Sequence, residues 1–243
     1  MAFRKLILLF IAVILALASC ASDESSTTYV SLGDSLAVGV GASDPGELGY
    51  TPLFRESLAE ETGDDVRLVR LGLSGETSGS FIGAYPDGDS QLVRAEEAVG
   101  ENPGTVATLS LGGNDLVGAG DTDAEREAAI VRYGQNLDYI LGVLENASEP
   151  PPRVTVLALY NPAPGSFTDE WTGRLNAEIR AVADRHDTVS VADGDRAFEG
   201  NEEEYARHSE YPWDIHPTDA GYRALAEAFE EARFARGESG AAR

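Results

Sequence analysis

The sequence predicts an α/β fold, a flavodoxin-like three-layer α/β/α sandwich built on a five-stranded parallel sheet. Short apolar runs that read as strands alternate along the chain with segments of helical periodicity. This alternation is typical of a parallel sheet that is covered on both faces. The chain has 243 residues, a length that suits one α/β domain with a sizeable core. Its apolar content of 42% is that of a folded protein rather than a disordered one.

Five apolar runs predict the strands of this sheet. They lie at residues 28–32, 66–71, 105–111, 153–159 and 188–191. Because helical segments separate them, we expect the strand order 2-1-3-4-5, with the topological switch point beside the first strand. The loops that follow the first three strands would then share one rim of the sheet, where open α/β sheets bind their ligands.

Helical patterns fill the segments between the strands. The clearest pattern repeats apolar side chains along one stripe, and Thr218 is a typical N-cap residue for the last helix. The predicted helices are residues 50–62, 90–99, 125–145, 169–185 and 218–236, with a polar tail at 237–243.

Residues 1–19 are predicted to be a lipoprotein signal peptide and not part of the fold. Arg4 and Lys5 form a short basic start, and an unbroken apolar stretch follows at residues 6–17. That stretch has the length of a signal-peptide core. It is shorter than the ~20 apolar residues that a membrane-spanning helix needs.

Cys20 ends the tetrapeptide LASC at residues 17–20, which resembles a bacterial lipobox. Cleavage before Cys20 would leave its thiol to carry a diacylglycerol, whereas the alternative is an ordinary signal peptide with an incidental cysteine. Cys20 is the only cysteine in the chain, which excludes an internal disulfide and a cysteine-based metal cluster. We therefore expect a lipid anchor on the outer or periplasmic face of the cell membrane. Residues 20–27 would be the tether and 28–236 the folded domain.

The charge of the chain excludes one class of partner. The formal net charge is −24, and loss of Arg4 and Lys5 with the signal peptide would make it −26. Such a charge repels nucleic acids, so no nucleic-acid partner is expected. The chain has only three histidines, and they are too scattered to predict a metal site. No metal or other cofactor is expected.

Three short motifs carry side chains that suit acyl transfer. GDSL at residues 33–36 follows the first predicted strand, GGND at 112–115 follows the third, and DIHP at 214–217 precedes the last predicted helix. They supply Ser35 as a nucleophile, Asn114 as an amide donor and His216 as a base. A serine hydroxyl needs such a base, together with donors for the oxyanion that forms on attack. Taken alone, Ser35 would suit a helix N-cap better than a nucleophile, and it is the other motifs that favour the nucleophile.

With GLSGET at residues 72–77 between the first two, these motifs resemble the SGNH (GDSL-type) esterase and lipase family in order and approximate spacing. The resemblance covers nearly the whole chain after residue 28. It implies the SGNH hydrolase fold and a serine hydrolase that acts on ester bonds.

The resemblance also assigns roles to individual residues. Ser35 would attack the ester carbonyl and His216 would take its proton. The backbone N–H groups of Ser35 and Gly75 and the side-chain amide of Asn114 would hold the oxyanion. Ser74 lies in the same GLSGET motif, but the glycine after it falls one residue too early for a G-x-S-x-G nucleophile turn.

One position departs from the family pattern. The acid that orients the histidine usually lies three residues before it, and Trp213 occupies that position. Asp214 lies two residues before His216, and in a regular extended segment the two side chains would share a face but lie too far apart for an easy hydrogen bond. Asp214 remains the expected partner of the imidazole, with a backbone carbonyl, Asp193 or Asp195 as alternatives.

These observations predict a lipid-anchored esterase that cleaves carboxylic esters through an acyl-enzyme. Its substrate would be a small acyl ester, a lysophospholipid or an O-acetylated glycan. The alternative is a surface lipoprotein that binds carbohydrate or lipid in the same cleft without catalysis, which the displaced aspartate suggests. Tyr160, Phe167 and Trp171 are candidates for the acyl or leaving-group side of the site, with core packing as their alternative role.

Overall fold

A computed structural model describes residues 27–86, 88–209 and 214–240 of the chain. The predicted signal peptide, Cys20 and most of the predicted tether lie outside these residues. None of the helices within the described ranges is both long enough and apolar enough to cross a membrane.

The core of the fold is a parallel sheet of five strands in the order β2-β1-β3-β4-β5. The strands are β1 Thr27–Gly33, β2 Val66–Arg70, β3 Val106–Ser110, β4 Arg153–Ala158 and β5 Val189–Asp193. Each lies within two residues of its predicted bounds. The predicted α/β fold and strand order are therefore confirmed.

Helices connect the strands and cover the sheet. They are α1 Ser35–Val38, α2 Tyr50–Thr62, α3 Ser78–Ile82, α4 Gln91–Gly100, α5 Gly113–Val117, α6 Asp123–Glu145, α7 Thr168–Ala183, α8 Gly194–Phe198, α9 Glu202–Tyr205 and α10 Asp219–Gly240, with a 3₁₀ turn at Arg207–Ser209.

Both faces of the central strands are buried. Every residue of β3 is buried, as is every residue of β1 after the first, as expected when helices cover a parallel sheet on two sides. One group of helices consists of α2 and α10, which pack together through Tyr50 and Phe229 with ring centroids 4.7 Å apart. In a second group α6 packs against α4 and α7.

The start of α6 and the end of α10 differ from the predicted helix boundaries. Helix α6 begins at Asp123, before the predicted residue 125, because Thr122 and Glu125 form a reciprocal capping box. Thr218 caps α10 as predicted, since its hydroxyl accepts the N–H of Gly221 at 3.2 Å. The predicted end at residue 236 is wrong. The helix continues to Gly240, through the first four residues of the predicted polar tail.

Two further differences concern short segments. β1 begins at Thr27, one residue inside the predicted tether. Helices α1 and α5, of four and five residues, directly follow β1 and β3 and were not predicted. They begin within the GDSL and GGND motifs, so the predicted site residues lie at the carboxyl ends of adjacent strands.

Candidate active site

Ser35 is the first residue of α1, immediately after the end of β1. The turn before it requires glycine, because Gly33 has a φ of +118° and a Cβ there would lie 1.9 Å from the carbonyl oxygen of Ser110. Asp34 caps the helix by accepting the N–H of Leu36 at 3.0 Å, and its own N–H donates to the Ser110 carbonyl at 2.9 Å. These contacts fix the backbone on both sides of Ser35.

The carboxyl group of Asp34 lies beneath this turn and is 3% exposed. Burial raises the pKa of Asp34 to about 7, although hydrogen bonds from the Leu36 N–H and the Ser110 hydroxyl lower it. The Ser110 hydroxyl donates to Oδ1 of Asp34 at 3.2 Å. The turn that carries Ser35 thus rests on a buried acid that is difficult to ionise.

Ser35, His216 and Asp214 form a continuous chain of hydrogen bonds. Oγ of Ser35 lies 2.9 Å from Nε2 of His216, and Nδ1 of His216 lies 2.7 Å from Oδ1 of Asp214. Ser35 and His216 are separated by 181 positions in the sequence, so the fold brings them together. The arrangement has the nucleophile, base and orienting acid of a serine hydrolase triad.

The two-residue offset of Asp214 is accommodated by a local turn. Oδ1 of Asp214 also accepts the backbone N–H of His216 at 3.1 Å, which is the hydrogen bond of an Asx turn. This turn curls the segment, so the imidazole reaches the carboxylate that an extended chain would hold at a distance. Of the partners considered from the sequence, Asp214 contacts Nδ1, whereas Asp193 pairs with Arg180 at 3.0 Å.

Arg207 holds the second oxygen of Asp214. Its Nε donates to Oδ2 at 2.6 Å, and its backbone N–H donates to the His216 carbonyl at 2.9 Å. Partial burial raises the pKa of Asp214, but the hydrogen bonds from Arg207 and His216 outweigh it and hold that pKa below its usual value. Asp214 therefore stays ionised facing the imidazole. No motif or periodic pattern in the sequence points to Arg207.

Asn114 lies on α5 and lines the same cavity as Ser35 and His216. Its Nδ2 donates to the backbone carbonyl of Glu76 at 2.9 Å. A side-chain amide has two N–H donors, so this contact fixes the amide and leaves its second N–H for a ligand in the cavity. Asn114 thereby joins the loop after β3 to the loop after β2.

Gly75 lies in the turn after β2, next to the residue that Asn114 contacts. Its φ of +82° is in the left-handed region, and a Cβ there would meet no atom within 4 Å. The conformation, not a lack of space, therefore requires glycine. Ser74 is exposed in the same turn, and neither Gly75 nor Ser74 is among the residues that line the cavity of Ser35 and His216.

Asp115 braces the loop after β3. Its carboxylate accepts the N–H of Ser78 at 2.9 Å and the Ser78 hydroxyl at 2.5 Å. Burial raises the pKa of Asp115, and the two hydrogen bonds from Ser78 oppose this effect. These bonds attach α5 to the start of α3 on the GLSGET side.

Two buried polar residues beside the site, Gln91 and Glu76, were not predicted from the sequence. The side chain of Gln91 binds both backbone groups of Gly33, at 2.6 and 3.0 Å. It also donates to the carboxylate of Glu76 at 2.7 Å. Glu76 falls within the GLSGET motif, so its position was visible, but nothing in the sequence marked its side chain as buried.

An apolar cavity opens beside Ser35. It encloses about 580 Å³ of empty space when its open mouth is included. The structure places Tyr160 and Phe167 on its wall, whereas Trp171 is buried and stacks with Arg174 outside it. The other apolar lining residues are Leu36, Leu116, Val117, Leu159, Pro162 and Ile215.

No group of three or more histidine, cysteine, aspartate or glutamate side chains that could hold a metal ion occurs within the described ranges. The described site therefore consists of a hydrogen-bonded serine, histidine and aspartate, a fixed amide and an apolar cavity.

The fold and this site define a hydrolase of the SGNH class. The sequence model of the GDSL-like Lipase/Acylhydrolase family matches residues 31–224, which is most of the chain, and the protein belongs to that family.

Known relatives agree with this assignment. The chain is 26% identical over 220 residues to the spore germination lipase LipC of Bacillus licheniformis, covering 86% of this chain and 97% of that protein. Its fold resembles that of the lipase Lip_vut3 from a goat rumen metagenome, with a TM-score of 0.66 and 24% identity over 85% of this chain and 97% of that one. It also resembles the acetylxylan esterase Axe2 of Geobacillus stearothermophilus, with a TM-score of 0.63 and 18% identity over 86% and 95%.

Proposed function

We propose that this protein is a serine esterase that cleaves carboxylic esters with short to medium apolar acyl chains through an acyl-enzyme. The observation that carries the proposal is the unbroken chain of hydrogen bonds from Ser35 through His216 to Asp214, at 2.9 and 2.7 Å. Such a chain activates a hydroxyl that is otherwise a weak nucleophile.

In the proposed mechanism Oγ of Ser35 attacks the ester carbonyl while Nε2 of His216 takes the hydroxyl proton. The negative charge that develops on the carbonyl oxygen is held by the free N–H of Asn114 and the backbone N–H groups of Ser35 and Gly75. His216 then protonates the leaving alkoxide. Water activated by the same imidazole hydrolyses the acyl-enzyme and releases the acid.

Asp214 orients the imidazole and stabilises its protonated form during both steps. Arg207 keeps Asp214 ionised and in place through its contact with Oδ2. No step of this mechanism requires a metal ion or an organic cofactor.

The apolar lining of the cavity favours an acyl chain over a sugar as its occupant. A carbohydrate would require polar groups along the wall to replace its hydration, because a buried hydroxyl without a hydrogen bond is costly. The relative LipC is a lipase, which agrees with an acyl substrate. Axe2 is an acetylxylan esterase, so an O-acetylated glycan is the alternative substrate to test.

The displaced aspartate was the reason to consider a binding protein without catalysis. Because Asp214 contacts His216 directly, that reason no longer applies, and the esterase is the better-supported function.

We further propose that a diacylglycerol on Cys20 anchors the enzyme to the outer or periplasmic face of the cell membrane, with residues 20–27 as its tether. The support is the LASC tetrapeptide after the apolar stretch. Cys20→Ser should move the enzyme from the membrane fraction to the soluble fraction. A variant that remains with membranes would place the anchor elsewhere.

The function is tested by measuring hydrolysis of p-nitrophenyl acetate, butyrate and octanoate by the full chain in detergent, beside acetylated xylo-oligosaccharides. We expect the value of kcat/KM to rise from acetate to a longer acyl chain, because more apolar surface is buried in the cavity. Faster deacetylation of the oligosaccharides than of any nitrophenyl ester would favour the glycan. No hydrolysis and no labelling of Ser35 by a fluorophosphonate would refute the esterase.

A further inference from the structure

The buried side-chain amide of Gln91 hydrogen-bonds the last residue of the strand that precedes the candidate nucleophile. Gln91 is fully buried, and its Oε1 accepts the N–H of Gly33 at 2.6 Å while its Nε2 donates to the Gly33 carbonyl at 3.0 Å. The Gly33 carbonyl also accepts the N–H of Leu73, just after β2, at 3.0 Å, so Gln91 supplies the partner of the Gly33 N–H and a second donor to its carbonyl. Gly33 lies two residues before Ser35.

The remaining N–H of Gln91 donates to a buried carboxylate. It donates to Oε2 of Glu76 at 2.7 Å, and that oxygen also accepts the Tyr85 hydroxyl at 2.5 Å. The other oxygen of Glu76 accepts the hydroxyl of Ser80. Glu76 is 3% exposed, and burying a carboxylate is costly unless it is hydrogen-bonded. Three donors, from Gln91, Tyr85 and Ser80, meet that requirement.

The backbone of Glu76 makes the last contact in this chain of bonds. Its carbonyl accepts Nδ2 of Asn114 at 2.9 Å, the same amide whose second N–H is assigned to the oxyanion. The contacts therefore run from Gly33 through Gln91 and Glu76 to Asn114. They connect the three loops that follow β1, β2 and β3.

We propose that Glu76, held by Gln91, is a positioning residue that sets the place of the Asn114 amide relative to Ser35. The inference rests on the proposed esterase function. An oxyanion donor acts only when it lies within hydrogen-bond distance of the developing charge, and a shift of about 1 Å can cost ~100-fold in rate. The carboxylate of Glu76 fixes the position of its own carbonyl, and that carbonyl fixes the amide.

The test is a double-mutant cycle on the full chain in detergent, with kcat, KM and melting temperature measured for Glu76→Met, Asn114→Ala and the double variant. We expect Glu76→Met to lower kcat by about 10- to 100-fold and to change KM by less than about 3-fold. In the Asn114→Ala background the same change should cost less than about 3-fold in kcat, because the residue through which it acts is absent. The loss of melting temperature should be equal in both backgrounds.

The conservative variant Glu76→Gln should keep kcat within about 3-fold of wild type. In this variant the side-chain carbonyl oxygen at position 76 can accept hydrogen bonds from Gln91 and Tyr85. The side-chain N–H₂ at the same position can donate to the hydroxyl of Ser80. Thr155→Val is the matched control for a lost buried hydrogen bond. It removes the contact between Thr155 and Ser190 at 2.9 Å within β4 and β5 and should lower the melting temperature without changing kcat.

An equal fall of kcat in both backgrounds, a loss expressed in KM, or a fall of kcat in Thr155→Val that matches Glu76→Met would overturn the inference. If Glu76→Met does not fold, Gln91→Glu replaces it in the cycle, since it puts an acceptor where a donor faces Glu76. An active wild type with an additive cycle would refute this inference alone. An inactive wild type that Ser35-directed phosphonates do not label would refute the proposed function as well.

Discussion

Strands β1 and β4 both end against a buried side-chain amide. Gln91 binds the N–H and the carbonyl of Gly33 at 2.6 and 3.0 Å, and Asn176 binds the same two groups of Leu159 at 2.7 and 2.8 Å. Both amides are almost completely buried. Each amide thus hydrogen-bonds both backbone polar groups of one residue, and buried backbone groups need such partners.

The two strand ends differ in what lies beyond them. Beyond β1, Gln91 continues through Glu76 to the amide of Asn114. Beyond β4, Leu159 forms part of the apolar cavity wall with Phe167. Groups that act only in the transition state change kcat, whereas contacts that substrate and transition state share change KM. We therefore expect the β1 side to set the rate and the β4 side to set the preference for acyl chains.

The largest expected effect on the β1 side comes from removing the nucleophile. Ser35→Ala should lower turnover of p-nitrophenyl butyrate by at least ~10⁴-fold, because the acyl-enzyme can no longer form. The melting temperature should stay close to that of wild type. Ser74→Ala is the matched control and should retain full turnover. The opposite result for the two serines would move the nucleophile to Ser74.

Removing the oxyanion donor is the next largest change. Asn114→Ala should lower kcat by about 10²- to 10³-fold, as loss of one donor does in other serine hydrolases. Because the developing charge is the same for every ester, the factor should not depend on acyl chain length. Steady-state kinetics with acetate, butyrate and octanoate esters check this. A factor that grows with chain length would place Asn114 in chain binding instead.

A smaller effect is expected from the wall of the cavity. Phe167→Ala should raise KM for the octanoate ester by about 10-fold, equivalent to ~1.4 kcal/mol of lost apolar contact, and should leave acetate nearly unchanged. Phe167 is 44% exposed, so the change should cost little stability. Tyr139→Ala, at an aromatic that is 56% exposed on α6, is the control. Equal effects on acetate and octanoate would remove Phe167 from the acyl side.

The smallest effect concerns stability on the β1 side. Burial raises the pKa of Asp34 to about 7, whereas the unfolded value is about 4, so the folded state binds more protons between these values. Stability contributed by this group is therefore full at about pH 4 and is lost as the pH rises through about 7. Asp34→Asn should gain melting temperature relative to wild type between pH 5 and pH 8, by a few degrees.

Thermal melts at the two pH values measure this difference, with Asp65→Asn as the control. The Asp65 side chain is 89% exposed, so its substitution should show no comparable trend. A melting-temperature difference for Asp34→Asn that does not change with pH would mean that Asp34 ionises as easily in the folded protein as in the unfolded chain.

The strands and long helices were predictable because their burial repeats along the chain. Strand β3, with all its residues buried, is a run of apolar and small polar residues, and α2 ends at Thr62, followed by Gly63 in the left-handed conformation. Helices α1 and α5 were not predictable because four or five residues are too few to show a period. Their starts are set instead by contacts with neighbouring strands, such as Asp34 with Ser110.

The site was predictable as a set of motifs but not as a geometry. GDSL, GGND and DIHP are contiguous in sequence, so Ser35, Asn114 and His216 could be named. Arg207 could not, because its role depends on a turn at Asp214 that brings the two side chains together. Gln91 is the first residue of α4, a position where a polar side chain normally faces water. Its burial follows only from where β1 ends.

The Asx turn at Asp214 has a mechanical consequence. Oδ1 of Asp214 binds both the backbone N–H and the imidazole Nδ1 of His216, so the carboxylate and the ring form one piece of the four-residue segment 214–217. Ser35 belongs to a second piece that is attached to the sheet. Relative motion of the two pieces changes one reacting distance, the 2.9 Å between Nε2 and Oγ. A bound ligand or a side chain that bridged residues 214–217 and α1 would therefore act on the distance between Nε2 of His216 and Oγ of Ser35.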